Sequence, residues 1–213
     1  MALVFSVFLW EVPRPGIRRA IQTMSSFPNF ISWILVYSVS FMFFSSEGQL
    51  TKLWEGLGLS QGARNLLANA GVAYLFQTLL GVWKTTGWSA IIYLSAIAGI
   101  DQELYDAADV DGANRYQKMY HITVKSVLPT FFILLILNIG GMMNAGFEQF
   151  YVFYNPMVAD RLEILATYAY RIGLGSGEIA FGTAIGMTQS LISVVLLAGG
   201  AWLGKKVSGN SIL

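Results

Sequence analysis

The sequence predicts an all-α, polytopic membrane protein, and three observations predict it. Of its 213 residues 55% are hydrophobic and only 12% are charged, with a mean hydropathy of +0.57, which sets the chain apart from soluble globular domains. Four windows, 20–46, 65–100, 126–147 and 179–204, carry essentially no charge apart from Lys84, and each can hold the ~20-residue helix that crosses a bilayer. Lys and Arg collect in alternate connections between those windows, as expected when one face of a membrane retains them.

The elements follow in chain order. Residues 2–10 are apolar but too short to span. No basic residue precedes them and no small-residue cleavage site follows, so they do not read as a signal peptide. They read as the end of a helix whose first half is missing from this chain, and hence as a truncated or naturally shortened variant. Spans are expected near 30–44, 71–98, 128–145 and 181–203, giving about four full transmembrane helices plus the partial one. Arg14, Arg18 and Arg19, then Arg115, Lys118 and Lys125, then Lys205 and Lys206 occupy one set of connections. Lys52, Arg64, Arg161 and Arg171 occupy the other set, accompanied by Glu47, Glu55, Asp160 and Glu163. The first set is therefore expected to be cytoplasmic, together with the C-terminus. The outer segment 147–178 carries Tyr151, Tyr154, Pro156, Tyr168 and Tyr170, either as an interfacial belt or as a contact surface.

Between two apolar runs lies a polar island, Asp101 to Lys125, where local backbone chemistry is explicit. Asp101 is placed to cap a short helix from Gln102 to about Val110, with Glu103 and Asp106 in or near its first turns, where the helix dipole favours acids. Leu104, Tyr105, Ala107 and Ala108 give that helix a small apolar face. Gly112 suits a helix end that needs a left-handed or close-packed backbone, and Asp111 or Ala113 is expected to start a second helix through Tyr120. The result is a helix-turn-helix bracket at the membrane surface. Small Ala side chains beside a Gly let another protein approach closely, while Leu104 and Tyr105 can fill a groove. An ordinary amphipathic loop has the same composition.

Several chemistries are excluded by what is absent. The chain has no Cys and one His, so thiolate catalysis, a disulfide framework and a histidine-cluster metal site are out, and no cofactor or metal is expected. A net charge of +1 gives no argument for nucleic acid. No G-x-x-x-x-G-K-[ST] string exists, so ATP must bind elsewhere. A membrane-embedded enzyme would need acid or His clusters within its helices, and these are missing. A passive channel or a helical scaffold remains the alternative function.

A few polar residues within the apolar windows are candidates for a substrate path. Lys84 is costly in a bilayer, ~2.5–3.5 kcal/mol, and should face a cavity, a partner helix or an acid such as Glu148, or snorkel along its stem. Asn138, Asn144, Glu148 and Gln149 form a polar series suited to sugar hydroxyls and equally suited to helix-helix hydrogen bonding. Gly140-Gly141 and Gly199-Gly200 offer small surfaces for close helix packing.

The string Glu103-Leu104-Tyr105-Asp106-Ala107-Ala108-Asp109-Val110-Asp111-Gly112-Ala113-Asn114-Arg115, with Ile122-Thr123 after it, resembles the EAA signature of binding-protein-dependent ABC importer permeases. The resemblance extends upstream through Arg18-Arg19-Ala20-Ile21-Gln22-Thr23 and Pro28-Asn29-Phe30-Ile31-Ser32-Trp33. Downstream it runs through Gly146-Phe147-Glu148-Gln149, Tyr154-Asn155-Pro156 and Tyr168-x-Tyr170-Arg171-Ile172-Gly173-Leu174. These strings are similar to the polysaccharide and oligosaccharide branch of the carbohydrate-uptake group. Two departures stand out: Asp106 occupies the place of the signature's first Glu, and Val124-Lys125 that of its Leu-Pro. The resemblance implies the type I ABC importer permease fold for residues 1–213 as one transmembrane domain. Within it, 101–125 would be a cytoplasmic coupling loop that seats Glu103, Leu104, Tyr105, Asp106, Ala107, Ala108, Asp111, Gly112 and Ile122 in an ABC ATPase subunit. It further implies a second permease subunit, an extracytoplasmic solute-binding protein and a carbohydrate substrate. A family member should also carry one more complete N-terminal helix and a full second one.

Overall fold

The computed structural model describes residues 1–58, 65–144 and 146–208. Arg64 and Ala145 lie outside the described residues, as do the side chains of Asn144, Lys205 and Lys206. Every regular element among the described residues is helical: α1 Ala2–Trp10, α2 Pro15–Ser26, α3 Trp33–Phe44, α4 Gln49–Gly56, α5 Ala73–Ala98, α6 Gln102–Val110, α7 Arg115–Lys118, α8 Lys125–Gly141, α9 Phe147–Val152, α10 Ala159–Leu162, α11 Leu165–Tyr170 and α12 Ile179–Ser208. Short 3₁₀ turns at Phe27–Phe30, Leu66–Ala68 and Met142–Asn144, and π-helical stretches at Met119–Val124 and Arg171–Gly175, join or extend them.

Among the described residues two helices are both long and apolar enough to cross a bilayer, Arg115–Gly141 and Ile179–Trp202, or three spans if the bent pair Pro15–Phe30 and Trp33–Gly56 is counted as one. The span expected at 30–44 begins at Trp33 because Ser32 leaves helical geometry and its Oγ accepts from Leu35 N. With 12 residues, α3 is about 18 Å long and needs its neighbour to cross. Helix α5 has the length, 26 residues, but Gln77 and Lys84 interrupt its apolar surface. The span expected at 128–145 turns out to be the end of a longer helix. From α7 the backbone continues through the π-helical stretch into α8, and Pro129 is accommodated inside α8.

Two compact units emerge. The first comprises Met1–Phe30, Val82–Gly140 and the described residues from Val195. Its core is Val7, Tyr93, Ile97 and Val127, with Leu3, Met119 and Phe131 packed around them. Here α5 presses on α2 with no room for a side chain: a Cβ on Gly87 would stand 2.0 Å from Ser25 O. Gly140 and Gly200 likewise lie against Leu197 and Ile136, while Gly141 and Gly199 face open space, so one glycine of each pair serves the packing expected of both.

The second unit comprises Ile31–Gly81 and Gly141–Val194. Val36, Ala73, Phe153, Val158 and Leu162 are buried at its centre. Phe153 gathers Trp33, Tyr37 and Phe76 edge-on, with ring centroids 6.5, 5.1 and 6.2 Å away. Gly173 and Gly182 approach so closely that a Cβ on Gly182 would sit 2.7 Å from Gly173 Cα.

Candidate functional site

The polar island forms the expected bracket within the first unit. Asp101 Oδ1 accepts from Glu103 N at 3.0 Å and opens α6, which runs over the residues expected. Its far end closes on itself: Gly112 adopts φ +72°, Gly112 N donates to Asp109 O and Ala113 N donates to Ala108 O. This paired closure satisfies the last carbonyls of the helix and requires the left-handed residue that glycine supplies. Because a Cβ on Gly112 would meet nothing within 4 Å, Gly112→Ala isolates the backbone cost. It is expected to destabilise α6 by about 1–2 kcal/mol, seen as faster amide exchange over Gln102–Val110, with Gly112→Asn costing less.

The second helix starts one or more residues later than expected. Asn114, not Asp111 or Ala113, caps it: Gln117 N donates to Asn114 Oδ1 at 2.9 Å and Asn114 N donates back to Gln117 Oε1 at 2.7 Å. The signal was present as Asn114-x-x-Gln117, an N-cap residue with Gln three positions on.

On α6, Leu104, Ala107 and Ala108 share one face by their i, i+3, i+4 spacing. Leu104 is 51% exposed, Ala107 is exposed and Ala108 half-buried. Glu103, Asp106 and Asp111 face solvent. Tyr105 does not stand out to fill a groove. It turns inward, its hydroxyl 2.8 Å from Thr123 Oγ1, and ties α6 to the start of the long helix. Lys118 Nζ donates to Asp109 Oδ1 at 2.6 Å, and Arg115 pairs with Glu11 at the end of α1. A hollow of about 310 Å³ lies where the two bracket helices meet, lined by Ala108, Gly112, Gln117, His121 and Ile122, so Ile122 joins the residues it was expected to accompany. Val110, 90% exposed at the helix end, was not singled out beforehand, since it shares no face with Leu104.

The residues expected along a substrate path separate. Lys84, 7% exposed, donates to Pro28 O and Asn29 O, each at 3.1 Å, and so braces the backbone carbonyls of a neighbouring helix end. Asn138 is exposed and donates to Leu134 O of its own helix. Glu148 is exposed in the first turn of α9. Gln149 is buried and donates to both the backbone and side-chain oxygens of Gln77 at 2.9 and 2.7 Å. Gln77 escaped the sequence reading, although an amide in the middle of an apolar window is the same kind of signal as Lys84.

Residues 3–209 match the family described as binding-protein-dependent transport system inner membrane component. The chain belongs to this family. Its long apolar helices are in keeping with that family. The chain is 36% identical over 205 residues to protein LplB of Bacillus subtilis (strain 168), covering 96% of this chain and 64% of that protein. It is 34% identical over 211 residues to the polygalacturonan/rhamnogalacturonan transport system permease protein YteP of the same organism, covering 99% and 65%. The chain thus spans less than two thirds of the length of these relatives. Among solved structures it is similar to a bacterial alginate ABC transporter in complex with an alginate pentasaccharide-bound periplasmic protein, with a TM-score of 0.91, 27% identity, and coverage of 99% of this chain and 73% of that one. The fold is that of the type I ABC importer permeases.

Proposed function

We propose that this inner membrane component is the transmembrane permease subunit of an ATP-driven sugar or oligosaccharide importer. It forms half of the translocation pathway with a second permease subunit, receives cargo from an extracytoplasmic solute-binding protein, and couples through 101–125 to a separate ATPase subunit. The bracket's construction carries the reading. A helix fixed at both ends, by Asp101 and by the Gly112 closure, presents Leu104, Ala107 and Ala108 beside the hollow that holds Ile122. From Arg115 to Gly141 the helix is uninterrupted, so a push on the bracket reaches an apolar span without an intervening loop. Glu103, Asp106 and Asp111 rim that face, and Tyr105 transmits the load to Thr123.

The alternation of basic connections supports a cytoplasmic bracket and C-terminus, with 147–178 outside. The name of a relative, a polygalacturonan/rhamnogalacturonan transport system permease protein, supports a carbohydrate cargo. On the path we assign contacts to Asn138, Asn144 and Glu148, with Gln149 acting through Gln77 and Lys84 through the helix end it holds.

The test uses the assembled transporter in vesicles. Ala107→Arg is expected to lower co-purification of the ATPase and ATP-dependent sugar uptake by about thirtyfold or more, the scale of losing an interface hot spot. Uptake that continues without ATP would favour a passive channel. Unchanged co-purification and uptake in the variant would remove the coupling role.

A further inference from the structure

Within the second unit, α9, α11 and the π-helical stretch after it enclose a cavity of about 510 Å³, the size of pockets that hold small molecules. Tyr151, Tyr154, Tyr170, Glu163 and Arg171 line it. Three of its rings are accessible, Tyr151 at 48%, Tyr154 at 41% and Tyr170 at 40%. Tyr151 and Tyr170 meet edge-on at 5.1 Å, and Phe147 stacks behind Tyr151 at 5.4 Å, so the aromatic wall is held rigid. The neighbouring Tyr170 hydroxyl raises the pKa of Tyr151, which stays a neutral phenol.

Opposite chemistry is supplied by an ion pair. Arg171 Nε and Nη2 both bond to Glu163 Oε1, at 2.8 and 2.7 Å. Glu163 Oε2 is left as an acceptor and the outer guanidinium N–H groups as donors. Rigid ring faces beside a paired donor and acceptor are what a sugar ring needs, since it offers apolar C–H faces and neighbouring hydroxyls that each donate and accept.

Charge decides which sugar. Arg171 is neutralised by Glu163, and the segment 147–178 carries the acids Glu148, Asp160, Glu163 and Glu178 against the bases Arg161 and Arg171. A uronate would enter a locally acidic surface whose one lining guanidinium is already paired.

We propose that the Tyr151–Tyr170–Arg171 cavity is a subsite for an uncharged sugar ring of an oligosaccharide, and that its Glu163–Arg171 pair discriminates against uronates. This rests on the transporter reading for its physiological cargo. It also separates this chain from the relatives whose names carry acidic polymers, polygalacturonan and alginate.

The experiment is saturation-transfer NMR on the assembled transporter in nanodiscs, with arabinotriose as the neutral probe and trigalacturonate as the acidic one. Arabinotriose is expected to receive saturation and trigalacturonate to receive none. Tyr170→Ala should weaken arabinotriose about tenfold, as loss of one aromatic contact does, while Tyr170→Phe, which keeps the ring, retains most of the signal even if the alanine variant fails to fold. Glu163→Gln frees the charge of Arg171, and trigalacturonate should then bind. No saturation of arabinotriose, or trigalacturonate binding to the unmodified chain that Arg171→Gln abolishes, would overturn the subsite. So would loss of the solute-binding protein in Tyr170→Ala without any sugar signal in the unmodified chain, because the cavity would then hold a protein loop. ATP-dependent uptake absent from the unmodified assembly would instead overturn the transporter reading, whatever the NMR shows.

Discussion

Gly87→Ala is expected to be the most damaging glycine-to-alanine change among the described glycines. The new Cβ would stand 2.0 Å from Ser25 O, 2.2 Å from Ser25 C and 2.6 Å from Ser26 N. All three are backbone atoms, so no side chain can rotate away, and α2 must separate from α5. Overpacking of this kind costs about 1–3 kcal/mol where side chains can yield, and more is expected where they cannot. Thermal denaturation of the purified full chain in micelles measures it. Gly16→Ala is the control, because its Cβ would meet nothing within 4 Å; replacing a helical glycine in open space is expected to stabilise by about 0.5–1 kcal/mol. Equal melting temperatures for the two variants would show that α2 and α5 do not lie this close.

Lys84→Met is the second large effect, and its sign depends on which measurement is made. Lys84 sits one turn before Gly87 on α5. The chain leaves helical geometry at Ser32, with ψ 152°, so the carbonyls of Pro28 and Asn29 lack the N–H groups that a continuing helix would bring. Lys84 Nζ supplies donors to both. Removing it takes a donor from one buried carbonyl, Pro28 O, at about 1–3 kcal/mol, and from the half-buried Asn29 O at less than that. The same substitution relieves an apolar helix of a charge worth ~2.5–3.5 kcal/mol against insertion. Insertion of α5 should therefore improve, while the inserted protein loses the pin that holds α2 beside α5. The expected result is normal or better membrane integration with a lower melting temperature in micelles. A variant that integrates and melts like the unmodified chain would mean that the carbonyls find other donors.

These two residues also mark where legibility in the sequence ended. The bracket could be read in advance because its determinants are local. Asp101 lies two residues from the N–H it accepts, and Gly112 governs a closure that reaches back only five residues. The apolar windows were legible for a similar reason, since lipid demands long uncharged helices whatever their neighbours are. The start at Asn114 was missed although it too is local, because Asp111 and Ala113 offered competing helix starts.

What remained hidden depends on residues far apart in the chain. Tyr105 was placed on the docking face because a tyrosine beside alanines looks available, but Thr123, eighteen positions away, claims its hydroxyl. Gln149 and Gln77 satisfy each other across 72 positions. The Tyr151–Tyr170–Arg171 cavity needs three helices to close around it, so its tyrosines read from sequence as a belt as readily as a contact surface.

The sequence by itself therefore determined that this chain is a helical membrane component, where its long apolar helices fall, and that a capped polar bracket interrupts them. Those properties follow from composition and from bonds spanning a few residues. Only the tertiary structure decided that Lys84 braces a helix end, that Tyr105 faces inward, that α7 runs on into α8, and that aromatic rings and an ion pair meet around one cavity. Each of those outcomes is a choice among partners brought together by packing, and a buried polar group takes whichever partner the fold puts within hydrogen-bond reach.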